Sequence, residues 1–257
     1  MGDPVGAPGP GPDRAGPGAY REWVSRLAGA VLWTTTTVPG EGPVLPDGCT
    51  DLIWGDGRLL VAGPDTGPQP RDGAVAAGTR WVGLPFAPGQ GPAVLGVPAH
   101  ELRDRRLPLA DLWGARRARE LAERAATGGP GAVLEEAARD RLRARERWAD
   151  GPGALPGRSG RTGAIVAGLA RGLPVAEVAH LVGMGERQLH RHGLAVFGYG
   201  PKTLARVLRL VRALELARAG VPYAEVAARV GCADQAHLAR EVRSLAGAPM
   251  GALLRAG

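Results

Sequence analysis

The sequence predicts an α+β protein of two unlike parts, a β-rich N-terminal region followed by an all-helical C-terminal domain. Three observations carry that expectation. One pattern occurs twice, as Pro-Val-Ala-Glu-Val-Ala-His-Leu-Val-Gly from Pro174 and as Pro-Tyr-Ala-Glu-Val-Ala-Ala-Arg-Val-Gly from Pro222. Charge is uneven: residues 1–160 hold 19 basic and 19 acidic side chains, against 13 and 6 in residues 161–257, so the net charge of +7 sits in the last part. All six tryptophans (Trp23, Trp33, Trp54, Trp81, Trp113, Trp148) lie before residue 150. Two domains with different duties explain this division better than one uniform fold.

Residues 1–19 are expected to be a disordered tail, because Gly-Ala-Pro-Gly-Pro-Gly-Pro cannot bury a core. Residues 20–149 form the β-rich region. Ala30–Thr37, Thr50–Trp54, Leu59–Ala62 and Arg80–Phe86 read as strands. Gly55-Asp56-Gly57 marks a hairpin, since Asp-Gly tolerates the positive φ of a type I′ turn. After Pro88 the pattern turns helical, and Ala115, Ala118, Leu121, Ala122 and Ala125 keep helical spacing up to the stop at 128–131. Leu134, Ala138 and Leu142 carry a second stripe, completing an αα-hairpin that either covers the β core or makes a dimer contact. Arg139, Arg141, Arg143, Arg145 and Arg147 alternate at period two, which scatters them around a helix as a solvated surface.

A Gly/Pro-rich stretch at 150–162 reads as a linker. Beyond it, in 163–257, helices are expected near 163–171, 174–182, 185–196, 201–219, 222–230, 233–246 and 249–255. Pro174, Pro201, Pro222 and Pro249 each stand where a helix begins, a position proline tolerates because its missing N–H has no partner there. Each repeat, a short helix and a Gly turn, leads into a second helical pattern containing Leu-x-Arg. That is a helix-turn-helix, the unit that lays a recognition helix in the DNA major groove. A concentrated positive field points the same way, since neutralising phosphates releases counterions.

In detail the C-terminal part resembles the DNA-binding domain of AraC/XylS-type transcription regulators, in which two helix-turn-helix units on one long helix read successive major grooves. Gly-Glu-Arg-Gln-Leu-His-Arg (185–191) resembles the first recognition helix, Gly198-Tyr199-Gly200-Pro201-Lys202 the turn into the linker helix, and residues 231–240 the second recognition segment. Ala246-Gly247-Ala248-Pro249 matches the closing turn, and the second unit has one more residue between its Gly and its Leu. A helix over 201–219 spans about 28 Å, suited to grooves about 34 Å apart once the width of each unit is added. Expected DNA contacts are Arg187, Gln188, His190 and Arg191 on the first unit, and Gln235, His237 and Arg240 on a corresponding face of the second. Lys202, Thr203 and Arg206 open the linker helix, where phosphate can be held. Two departures stand out: Gly193 inside the first recognition helix, at about 1 kcal/mol relative to Ala, and Leu238 and Val242 where aromatics are common.

Leu45–Trp54, Val61–Pro64, Pro88–Gln90, Leu95–Ala99 and Leu109–Gly114 resemble the β-rich N-terminal domain of a group of bacterial AraC-type regulators. That resemblance implies effector sensing or dimerisation, and a cupin-like shape is one expectation for it. The partners implied are double-stranded DNA, RNA polymerase, a small-molecule effector and a second copy of the chain. No apolar run approaches the roughly 18 residues a bilayer requires, and Cys49 and Cys232 are no disulfide framework, so a cytoplasmic protein is expected.

Enzyme readings are weaker. Only His100 lies in the N-terminal half, so a cupin-type multi-His metal site is absent, and His180, His190, His192, Cys232 and His237 make no recognisable ligand spacing. A Cys49–His100 nucleophile pair is the one catalytic alternative, and a buried structural role for Cys49 is favoured over it. No catalytic residue, metal or cofactor is expected. The alternative to a DNA-reading regulator is a small-molecule sensor, or an enzyme, built on the N-terminal β domain.

Overall fold

The computed structural model describes residues 20–25, 27, 30–38, 42–71, 76–149 and 158–255, so the expected tail and most of the expected linker lie outside the described residues. The N-terminal part is a six-stranded antiparallel sheet of β1 (Arg21–Val24), β2 (Val31–Thr36), β3 (Thr50–Gly55), β4 (Arg58–Ala62), β5 (Arg80–Phe86) and β6 (Arg106–Pro108), in the order β1-β2-β5-β3-β4-β6. The hairpin between β3 and β4 turns at Asp56 and Gly57, both at positive φ (52° and 69°), as the Asp-Gly pair requires. Two strands escape the sequence reading. β1 is short and charged, and β6 has three residues ending in Pro108, which only an edge strand accepts.

Alternation along the strands sorts the sheet into two faces. One presents Leu32, Leu52, Leu59, Val61, Val82, Leu84, Phe86 and Leu107 to a single buried core. That core is closed by the helical hairpin of α4 (Ala115–Gly128) and α5 (Pro130–Ala149), through Leu121, Ala125, Val133, Leu134, Ala137 and Ala138. Between β5 and the hairpin run α1 (Gly91–Leu95), α2 (Ala99–Leu102) and α3 (Ala110–Trp113). Covering the core is thus one role the hairpin serves. Within the arginine run Arg141 is exposed, as expected, and also packs: its guanidinium lies 5.2 Å from the Trp113 ring centroid and donates to the Val94 carbonyl at 3.1 Å.

The C-terminal part contains α6 (Arg158–Ala170), α7 (Val175–Leu181), α8 (Glu186–Phe197), α9 (Pro201–Arg218), α10 (Tyr223–Arg229), α11 (Gln235–Ala246) and α12 (Met250–Arg255). Helix positions agree with expectation to within two residues, except that α6 begins at Arg158 rather than 163. Gly160 and Gly163 have open space around them, so each costs α6 only about 1 kcal/mol of propensity, and buried Ile165 and Leu169 hold the helix in place.

The domain has two cores. α6, α7 and α8 pack around Ile165, Leu169, Val178, Leu189 and Phe197; α10, α11 and α12 pack around Val226, Cys232, Leu238, Val242, Leu245 and Met250. α9 belongs to both. Leu204 and Val207 enter the first core, and Leu210, Ala213, Leu214 and Ala217 enter the second. Its 18 residues make a strut of about 27 Å.

Candidate nucleic-acid interface

On α8 the buried residues are Leu189, Gly193 and Phe197, which leaves Arg187, His190 and Arg191 on the opposite, exposed side. These three line a shallow hollow of about 540 Å³. A second groove of about 360 Å³ continues from Arg187 and His190 to Gly200, Lys202 and Thr203 at the start of α9. α8 and the N-terminus of the strut therefore share one basic surface. Gln188 is exposed but points about 100° away from Arg187, at the flank of this surface. The imidazole of His190 rests on the turn: a Cβ at Gly200 would come within 2.8 Å of its Cδ2.

Gly193 has a packing reason that its helix propensity hides. A Cβ there would lie 2.9 Å from the Tyr199 carbonyl oxygen, so the missing side chain lets the 198–200 turn fold back onto α8.

The second unit departs from expectation. α11 starts at Gln235, capped by Asp234, whose Oδ1 accepts from the His237 amide at 2.6 Å. With about 100° per residue, Gln235 and Arg240 stand about 140° apart and Gln235 and His237 about 160° apart, so the three do not share a face. His237 Nδ1 is turned inward, accepting from the Ala233 amide at 3.2 Å. Counted from the helix start, the counterparts of Arg187, His190 and Arg191 are Ala236, Ala239 and Arg240, all exposed, with Arg243 on the same side. The extra residue lies in the turn, and counting from the cap at Asp234 finds Ala236 and Arg243.

Arg206 is also placed differently from its expected role at phosphate. Its Nε donates to Glu241 Oε1 at 3.2 Å and its Nη2 to Ser244 at 3.1 Å. Arg209 donates to both Glu241 oxygens, at 3.0 and 2.8 Å, and through Nε to the Val230 carbonyl at 3.1 Å. Burial alone would raise Glu241; the hydrogen bonds and charges of Arg209 and then Arg206 outweigh it and hold the carboxyl below its ordinary range. Cys232 Sγ lies 3.7 Å from Glu241 Oε2, and potential ligand atoms of Cys232, His237 and Glu241 come within 4.8 Å of one another. All three already have hydrogen-bond partners, so the group is a network tying the turn, α11 and α9 together.

The N-terminal part rests on the first unit beside this surface. His100 Nδ1 lies 3.2 Å from the Leu194 carbonyl of α8, and Arg103 donates to the Gly198 carbonyl at 3.4 Å. The loop before β3 reaches both units: Leu45 packs on the second core, while Gly48 faces Tyr199 and Leu204 of the first. The Tyr199 hydroxyl is buried without a hydrogen-bond partner. Cys49 offers no activated nucleophile, since burial and then the charges of Asp47 and Asp51 push its thiol well up, opposite to what catalysis needs.

Two helix-turn-helix units mounted on one helix define a DNA-binding domain, and a chain carrying it beside a separate β domain is a DNA-binding transcription regulator. Residues 167–256 match the family described as helix-turn-helix domain. Residues 22–108 match a second family, described as a domain of unknown function (DUF6597). No curated protein matches the chain. Among solved structures, ToxT from Vibrio cholerae O395 is 10% identical, with a TM-score of 0.44 over 88% of this chain and 96% of that one. ToxT bound to an unsaturated fatty acid is 8% identical, at 0.44 over 88% and 94%. ToxT bound to (E)-4-(8-methylnaphthalen-1-yl)but-3-enoic acid is 10% identical, at 0.46 over 88% and 98%. Among the described residues no helix is long and apolar enough to cross a membrane.

Proposed function

We propose that this regulator binds a two-part operator in double-stranded DNA, with α8 and α11 in successive major grooves on one face. The observation that carries the reading is α9: because its two halves belong to the two cores, both recognition helices are held at one fixed separation. Arg187, His190 and Arg191 read bases from α8, and Arg240 reads from α11, where Ala236 and Ala239 leave room for thymine methyls. Lys202 and Thr203, at the N-terminus of α9, hold a backbone phosphate between the two half-sites. The N-terminal domain senses an effector or dimerises, and its contacts with α8 and with both cores carry that state to the reading heads. In the cytoplasm the bound regulator would act on RNA polymerase.

Arg187→Ala and Arg240→Ala are each expected to weaken binding to the selected site by about 1–3 kcal/mol and to relax preference in one half-site only. Lys202→Ala should weaken all sequences alike and lower the salt slope by about one. Gel-shift titrations over a salt series measure both. Unchanged binding after both arginine substitutions would show that the reading faces are misassigned.

A further inference from the structure

The second face of the N-terminal sheet is unlike the first. Cross-strand register aligns Glu22, Trp33, Gly83, Ile53, Leu60 and Pro108 in one row. Neighbouring rows add Trp81 and Gly55 on one side, and Asp51 and Arg106 on the other. This face carries polar and aromatic groups where the other carries aliphatic core.

The two indoles lie flat on the sheet because glycine sits beneath each. A Cβ at Gly83 would fall 2.1 Å from Trp33 Cε2, and one at Gly55 would fall 2.0 Å from Trp81 Cε3. Both rings remain half-buried, and Tyr20, 58% exposed, stacks on Trp33 at 6.3 Å between centroids.

The face also carries carboxyl groups beside the indoles. Asp51 Oδ1 accepts from Trp33 Nε1 at 3.1 Å, and no donor among the described residues reaches Oδ2. Arg106, in the same row as Asp51, gives its hydrogen bonds to Asp65 at 2.8 and 2.6 Å and reaches Asp51 by charge alone. Arg58, at the far end of the Trp81 row, is paired with Asp56 at 2.8 Å. Asp47 adds a second carboxylate from the loop before β3, its Oδ1 accepting from the Cys49 amide at 2.8 Å. Burial, then the Asp47 charge, pushes the Asp51 carboxyl up to about 7, against the opposing pull of the Trp33 hydrogen bond and the Arg106 charge.

We propose that this face is a binding site for an organic cation, a quaternary or protonated amine on an apolar body, with Trp33 and Trp81 as aromatic floor and Asp51 and Asp47 as counter-charge. The negative faces of the indoles and the two carboxyl groups favour the same ligand, whereas an anion would meet both unfavourably. The loop bearing Asp47 continues through Gly48 to Tyr199, so an occupant sits one residue from the first reading unit.

The test needs no DNA, so its failure leaves the DNA-reading proposal standing. The full chain is titrated calorimetrically with choline, its neutral isostere 3,3-dimethyl-1-butanol, benzyltrimethylammonium and phenylacetate. Saturable binding of both cations is expected, at least about tenfold tighter than the neutral isostere and with phenylacetate unbound. Asp51→Asn should weaken the cations at least about tenfold without affecting the neutral compound, and Trp81→Phe should weaken them by about threefold. Near-ultraviolet circular dichroism checks that each variant is folded; if Asp51→Asn is not, Asp47→Asn serves in its place. Equal affinity for choline and its isostere, binding of phenylacetate, or an unchanged affinity in the folded aspartate variant overturns the proposal.

Discussion

α8 and α11 are both twelve residues long, and Leu189, Gly193 and Phe197 of one take the places of Leu238, Val242 and Ala246 of the other. Behind that shared interior their chemistry separates. α8 turns Arg187, His190 and Arg191 outward; α11 turns Ala236, Ala239 and Arg240. The second unit is fastened to the strut by Glu241 and two arginines and is capped by Asp234, whereas α8 begins at Gly185 with no side-chain cap. Long polar side chains thus sit on the first unit, and the stronger local fastening sits on the second. A repeated fold keeps its apolar positions because both cores need them, while its outer positions are free to diverge.

Glu241→Ala should cause the largest loss of stability, about 2–3 kcal/mol, because it leaves the half-buried Arg209 without its counter-charge. The urea midpoint of the isolated unfolding transition measures it, and the loss should fall on the second unit. Gly193→Ala comes next. Helix propensity alone would make it stabilising by about 1 kcal/mol, but the new Cβ meets the Tyr199 carbonyl, so a net loss of about 1 kcal/mol is expected. A stabilised Gly193→Ala would mean that the 198–200 turn does not rest on α8. Asp234→Ala should cost about 1 kcal/mol through the lost cap, and Gly185→Ser should recover only a few tenths in the first unit.

Much of this was legible in the sequence. The doubled pattern at Pro174 and Pro222 located α7 and α10, and the prolines located the helix starts, because fixed φ and a missing N–H act locally. Spacing within α8 assembled Arg187, His190 and Arg191 correctly as one face. Gln235 stands off the Arg240 side and His237 turns toward the Ala233 amide, because the cap at Asp234 sets where α11 begins. Arg206 could not be placed, since its partner Glu241 lies 35 residues away and only tertiary packing brings the two together. For the same reason β6, a three-residue edge strand, and the row joining Trp33 to Asp51 have no local signature.

A smaller effect separates the sheet from the helical domain. The Asp51 carboxyl is held near 7, above the roughly 3.9 of an unfolded chain, so the folded state keeps a proton that the unfolded state has lost. Its contribution is therefore fully present below about pH 4 and lost as pH rises through about 7. Asp51→Asn should flatten that fall in melting temperature between pH 5 and 8; an unaltered profile would place the titration elsewhere.

The most direct measurement is selection of bound sequences from random DNA with the full chain, followed by hydroxyl-radical footprinting of the winners. Two half-sites on one face of the duplex are expected, about 10 base pairs apart, with Arg240→Ala relaxing one and Arg187→Ala the other. A single half-site, half-sites on opposite faces, or selected DNA with no sequence preference would contradict two reading heads held on one helix.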